Sequence, residues 1–282
     1  MSLGVVVKGP EGVVLAADSR VTFVARMNAS IHAAGAEPTL AALPVTFDNA
    51  TRLLTFRPFQ GEDKARIAAV TYGAAVIGQT ENDLRTAHSL ISEFELEKVK
   101  AVSYDVREFS QLLSEFFAEK WAARMPTGSV ESMSFLVAGY DRNSPYGAVY
   151  LFKVPDSLEP VEQSPNSFGI TFGGQIECIA RLLMGYEPRL IDIVCEALSL
   201  STEQRETLLA ALAPLRLQIP WGILPLQDCI NLCIYLIRTT MAAQDLSITI
   251  RGVGGGIDVA AITPRDGVIP IQRKQLFGEN SK

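Results

Sequence analysis

Two uninterrupted apolar runs, residues 3–7 and 13–17, open the chain, with the turn-forming Gly9-Pro10-Glu11-Gly12 between them. Short apolar runs bounded by turn residues read as strands covered on both faces. Residues 23–48 break that pattern with Ala, Gly, Pro and Asn and are expected to be an inserted loop. A third strand is predicted over 51–56. Beyond the turn at 60–64, Ile67-Ala68-Ala69-Val70-Thr71-Tyr72 reads as a fully buried strand ended by Gly73.

Periodicity then changes. Residues 74 to about 95 show helical spacing, and a second helix is predicted over 105–124, where Phe109, Leu112, Leu113, Phe116 and Phe117 form one stripe. Strands return at 133–140 and 148–154, joined by a hairpin-type loop at 141–147, and at 168–172, which Gly173-Gly174 stops. Helical patterning resumes over 175–216, with breaks at Pro188 and at Ser201-Thr202-Glu203-Gln204. Another helix is predicted over 225–245, and strands at 257–263 and 268–272 close the chain. Alternating blocks of strands and helix pairs suit two sheets packed face to face with helices outside, an α+β arrangement.

At 282 residues, 48% of them hydrophobic, the chain can bury a large core, and no linker-like composition divides it. One domain spanning 1–282 is expected, with a loop insertion at 23–48 and a helical insertion around 185–222. A net charge of −6 argues against nucleic acid as a partner. No apolar stretch is long enough to span a bilayer, and no charged segment leads an apolar one as in a signal peptide, so no membrane partner and a cytoplasmic location are expected. The cysteines, Cys178, Cys195, Cys229 and Cys233, sit in apolar helical surroundings and read as buried reduced thiols rather than a zinc site. With His32 and His88 alone, a Ser-His-Asp triad is poorly supplied. Gly252-Val253-Gly254-Gly255-Gly256 leads into a strand rather than a helix, which favours a turn over a phosphate loop. No cofactor or metal is called for.

One constellation does carry chemistry. Removal of Met1, routine before a small residue, leaves Ser2 with a hydroxyl and a free α-amine. An α-amine titrates at about 7.7–8.0, close enough to neutrality to take the hydroxyl proton. The opening, from Ser2 through Val13-Val14-Leu15-Ala16-Ala17-Asp18-Ser19-Arg20-Val21-Thr22, resembles the proteasome β-subunit branch of the N-terminal nucleophile hydrolases. Further matching pieces are 48–53, 69–73, 137–141 and 254–260. The order of elements is that of the family's four-layer α-β-β-α sandwich. The expected insertion and the long helical segment place the likeness nearer to a divergent stand-alone bacterial proteasome-type peptidase than to a standard β subunit.

That resemblance implies roles. Ser2 falls on the nucleophile, where proteasome subunits have Thr, and Asp18 falls on the acidic residue that orients its cationic partner. Arg52 stands where the family has Lys. Its charge can assist Ser2 and pair with Asp18, but a guanidinium does not shuttle protons. Lys8 and Lys64 are the alternatives in sequence. Arg20, Thr22 and Gly73 fall on substrate-contacting positions. Gly173 falls near a supporting Ser, whose hydroxyl is therefore missing, and Asp245 with Ser247 could replace part of the support for the α-amine. The implied activity is hydrolysis of peptides or unfolded protein by a homo-oligomeric ring. The alternatives are a non-catalytic ring or scaffold subunit and an amidohydrolase acting on a small non-peptide amide.

Overall fold

A computed structural model of the chain describes residues 2–29, 39–80, 82–126, 128, 131–248 and 250–276. The first half runs β1 (Leu3–Lys8), β2 (Val13–Asp18), β3 (Val21–Ala29), β4 (Thr39–Phe47), β5 (Leu53–Thr55), β6 (Ile67–Gly73), β7 (Val76–Ile77), β8 (Arg85–Thr86), α1 (Ala87–Glu97) and α2 (Val106–Arg124). It continues with β9 (Met133–Gly139), β10 (Ala148–Val154), β11 (Ser157–Glu162), β12 (Gly169–Gly174), α3 (Glu177–Met184), α4 (Arg189–Ala197), α5 (Thr202–Leu212), α6 (Leu226–Asp245), β13 (Ile257–Thr263) and β14 (Gly267–Gln272).

Two five-stranded sheets carry the fold, ordered β12-β1-β2-β13-β14 and β11-β10-β9-β6-β5. Neighbouring strands in both are antiparallel. Val6, Val13, Leu15 and Ile262 of the first sheet meet Ala68, Val70, Tyr72, Leu136 and Ala138 of the second in one buried layer. On the second sheet's outer face, Phe94, Phe109, Phe116 and Phe117 of α1 and α2 pack edge-on and tilted against one another and against Phe135. On the first sheet's outer face, Ile179 of α3 and Cys233, Leu236 and Ile237 of α6 cover Leu3, Val5 and Val7. This is the expected α-β-β-α sandwich. Both faces of β1 and β2 are covered, so every residue of each is buried, and that is why the sequence shows unbroken apolar runs rather than alternation.

Four sequence expectations change. Within the expected loop at 23–48, residues 23–29 and 39–47 are strand: β3 and β4 pair antiparallel, Val21 with Phe47 and Ala29 with Thr39, and join neither large sheet, and 30–38 lie outside the described residues. Because this sheet is two-stranded, Pro44 opposite Val24 lies on an edge strand, where a missing N–H is tolerated. The helical spacing from 74 is interrupted by the two-residue pair β7 and β8, so α1 starts only at Ala87, where the Thr86 hydroxyl accepts from Ser89 N. Residues 157–162 add β11, and β12 runs on through Gly173 and Gly174 rather than stopping before them. The expected breaks in the long helical segment do occur. Gly185 ends α3 in the left-handed region, at φ 81°, and Ser201 caps α5 in a reciprocal exchange with Gln204. No residue of α5 is buried, and α4 buries only Ile191.

Candidate functional site

Ser2 lies at the head of β1 on the face that Val6 turns into the layer between the sheets, and it is fully buried. Its carbonyl accepts from Gln175 N at 2.8 Å, which prolongs the pairing of β1 with β12 by one residue. Its hydroxyl oxygen accepts from Gly73 N at 3.2 Å. Gly73 ends β6 at φ 87°, and a Cβ there would overlap the Ser132 carbonyl. Only glycine holds the backbone that turns this N–H toward Ser2.

Asp18, the last residue of β2, is also fully buried. Its Oδ1 accepts from Leu3 N at 2.9 Å, and its Oδ2 accepts from Gly254 N at 2.9 Å and Arg20 N at 3.2 Å. Burial pushes its pKa up to about 6, opposed by the Arg52 charge and by these three amides. The carboxylate therefore ties the residue after Ser2 to β2 and to the segment that leads into β13.

Arg52 precedes β5, is 3% exposed, and donates through Nη2 to the Arg20 carbonyl at 3.1 Å. Its Nε is buried without a hydrogen-bond partner. Burial lowers its pKa and the Asp18 charge raises it, so the two groups act on one another through the field. The expected Asp18–Arg52 ion pair is not formed among the described residues; the carboxylate accepts from three amides and the guanidinium donates to a carbonyl instead.

The other expected residues divide. Arg20 holds Asp48 in a two-pronged pair, Nε to Oδ1 at 2.5 Å and Nη2 to Oδ2 at 2.8 Å. Thr22 stands on β3, its hydroxyl 3.4 Å from the Arg251 carbonyl. Asp245, at the end of α6, is exposed and paired with Arg251 at 3.4 Å. Ser247 Oγ donates to the Gln244 carbonyl at 3.2 Å. Lys8, at the far end of β1, donates to the Ser164 and Pro165 carbonyls, and Lys64 faces Asp266, so neither lies at the head of β1. The Cys229 and Cys233 thiols are buried and their pKa values pushed up, that of Cys229 to about 11. Among the described residues no cluster of His, Cys, Asp and Glu is arranged for a metal ion.

Three features were not visible in the sequence. Gly254 supplies an amide to Asp18, and the glycine run around it packs close to the site: a Cβ at Gly254 would fall 2.6 Å from Arg20 Nε, and one at Gly255 2.6 Å from Ser19 Oγ. The run's position just before a strand was its only signal. Gln175 and Gln244 are hydrogen-bonded to one another beside Ser2, and Gln244 Oε1 also accepts from Val253 N at 2.9 Å. Tyr72 fills the space above Gly173, where a Cβ would overlap its Cζ, Oη and Cε2. The absence of a side chain at 173 is thus matched by a phenol from the opposite sheet.

No family model matches the chain. No curated protein matches its sequence. Among solved structures, the Gly-1 mutant of Anbu from Hyphomicrobium sp. strain MC1 matches 95% of this chain and 85% of its own, with a TM-score of 0.51 and 12% identity. At that identity the likeness shows a shared fold, the sandwich of two sheets between helices described above. No helix among the described residues is long and apolar enough to cross a membrane.

Proposed function

We propose that the chain is an amide-bond hydrolase that uses Ser2 as an N-terminal nucleophile after loss of Met1, and that it cleaves peptides. The observation that carries this reading is the N–H of Gly73 donated to Ser2 Oγ at 3.2 Å from a backbone only glycine can adopt. A donor fixed beside the nucleophile is where the carbonyl oxygen of a bound amide gains negative charge during attack.

The chemistry follows from the same residues. The α-amine of Ser2 takes the Oγ proton as Oγ bonds to the substrate carbonyl carbon. The resulting oxyanion is held by Gly73 N–H. The C–N bond then breaks, the leaving amine takes the proton from the α-ammonium, and water attacks the ester so formed and restores Ser2. Arg52 lowers the cost of negative charge at Ser2, and Asp18 fixes the start of β1 through Leu3 N. Arg20, anchored to Asp48, keeps Thr22 and the start of β3 beside the site, where an extended peptide gains main-chain hydrogen bonds. A ring of identical subunits is proposed as its assembly, on the fold it shares with Anbu.

Intact mass before and after incubation with a peptide epoxyketone, which needs a hydroxyl and a free amine on one residue, tests the reading. Loss of Met1 with one adduct on Ser2 is the expected result. A retained Met1, or a free Ser2 that stays unlabelled, moves the assignment to a non-catalytic ring subunit. One observation favours that second reading: the permanent charge of Arg52 at this position, with Lys8 and Lys64 both held away from the head of β1.

A further inference from the structure

A closed circuit of hydrogen bonds surrounds the head of β1. Gln175 N–H donates to the Ser2 carbonyl at 2.8 Å, one step beyond the pair Leu3 and Gly174 in the β1–β12 register. Gly174 permits that step: it lies at φ 101°, and a Cβ there would fall 1.9 Å from the Ser2 carbonyl oxygen. The Gln175 side chain continues the circuit, its Oε1 accepting from Gln244 Nε2. Gln244 Oε1 accepts in turn from Val253 N at 2.9 Å. The next amide, Gly254 N, donates to Asp18 Oδ2 at 2.9 Å. Asp18 Oδ1 accepts from Leu3 N at 2.9 Å, which returns to the residue after Ser2.

Resting on the hydrolase reading above, we propose that Gln244 is a positioning residue for Ser2: its side-chain amide ties the end of β12 to the segment entering β13, and so holds the head of β1 from both sides. Gln244 is the member of the circuit that stands on a helix. It lies in the last turn of α6, whose Cys233, Leu236 and Ile237 pack against Leu3, Val5 and Val7, so its backbone is fixed to the strand that follows the nucleophile. Its carbonyl is bound as well, accepting from Ser247 N and Oγ, both at 3.2 Å. Val253 is 1% exposed, and its N–H finds in Gln244 Oε1 the acceptor that a buried donor requires. Without the Gln244 amide, Val253 and Gln175 move independently. A shift at Val253 passes to Gly254 N and Asp18, and a shift at Gln175 passes to the Ser2 carbonyl. Attack by Oγ is sensitive to both, since misplacing a reacting group by roughly 1 Å costs about 100-fold in rate. The support expected at this end of α6 was the carboxylate of Asp245; that group is paired with Arg251, and the neutral amide one residue earlier reaches the strands instead.

The test uses full-length protein produced with Ser2 as its first residue, through a removable N-terminal tag, and compares Gln244→Met with Gln244→Glu. Met keeps the length of the side chain and removes both polar atoms. Glu keeps an acceptor for Val253 N, and the Gln175 amide turns over to donate to its second oxygen, so the circuit closes again. Epoxyketone labelling is measured at about pH 9, where the α-amine is neutral and an added carboxylate does not act through its titration. Met is expected to slow labelling about tenfold and Glu to stay within about threefold of wild type. Equal losses in the two variants, or no loss in Met, overturn the proposal. Gln175→Met breaks the circuit at another link and guards against a folding defect in α6. It is expected to match Gln244→Met, with the double variant no slower than either, because one circuit is broken only once; multiplied losses overturn the proposal. Amide hydrogen exchange of the same proteins reads the circuit without chemistry at Ser2. In Gln244→Met the Leu3 and Gln175 amides are expected to exchange about tenfold faster, and in Gln244→Glu at the wild-type rate. Faster exchange confined to Val253 overturns the proposal whether or not any variant is labelled. An unlabelled wild type whose Leu3 and Gln175 exchange depends on Gln244 counts against the hydrolase reading alone.

Discussion

At the scale of single residues, Asp18 and Arg52 show how burial changes what charge can do. Each would be an ordinary polar residue on an exposed strand end. Here the carboxylate is committed to three backbone amides and the guanidinium to one carbonyl, and each alters the other through a medium that water does not screen. Ser2→Ala is expected to abolish both turnover and the epoxyketone adduct, with a stability cost of about 1 kcal/mol for the lost Gly73 hydrogen bond; unchanged turnover would refute the nucleophile. Arg52→Met is expected to slow labelling by about 100-fold, because a preorganised charge is worth several kcal/mol beside a developing alkoxide. Arg52→Lys should stay within about tenfold of wild type, since its charge is kept, and a loss equal to that of Met would show that the fork of the guanidinium, not its charge, matters. Ser2, Asp18, Arg52 and Gly73 were named in the sequence through the family resemblance, and they stand at or beside the ends of β1, β2, β5 and β6. Asp245 is exposed and paired with Arg251, a contact that a helix end in the sequence does not announce.

Among the elements, the hairpin of β3 and β4 and the glycine run before β13 pull in different directions. β3 leaves the site immediately after Arg20, and β3 and β4 pair with one another and with neither large sheet. Replacing residues 24–44 by a two-residue turn is therefore expected to leave the melting temperature within about 4 °C of wild type; a larger drop in thermal unfolding would show that the hairpin supports the sandwich. Gly254→Ala is expected to act in the opposite way. The added methyl has to displace the Arg20 guanidinium or the backbone whose N–H holds Asp18, at a cost of about 1–3 kcal/mol in chemical denaturation, together with slower labelling. The sequence showed that 252–256 is not a phosphate loop but could not show that it is packed, because close approach of distant segments leaves no local pattern.

For the whole molecule, the raised pKa of Asp18 links folding to pH. Burial pushes the folded Asp18 carboxyl up to about 6, above its ordinary value of 3.8, so the native state holds its proton more firmly than the unfolded chain. This group's contribution to stability is full below about pH 4 and is lost as pH rises through about 6, by roughly 2–3 kcal/mol. Asp18→Asn removes the titration, and urea denaturation between pH 4 and 7 should show a stability difference between variant and wild type that changes in that window. A difference independent of pH would mean that the carboxylate titrates normally. Labelling of Ser2 has the reverse preference: it should weaken as pH falls below about 7.7–8.0, where the α-amine that takes the Oγ proton becomes protonated.

The sequence by itself determined the sandwich: the unbroken apolar runs, the helical stripe of phenylalanines and the alternation of strand and helix blocks are consequences of burial on one face or two, and burial is written into local composition. It also placed Ser2 one residue ahead of a buried strand and Asp18 at the end of its neighbour. Only the tertiary structure decided that residues 21–29 pair with 39–47, that Asp18 answers to Leu3, Arg20 and Gly254, that Arg52 bonds a carbonyl rather than a carboxylate, and that a phenol from the second sheet fills the slot over Gly4 and Gly173. Those are contacts between segments up to 236 positions apart in the chain, set by how two twisted sheets meet at one end, and periodicity within any single segment carries no trace of them.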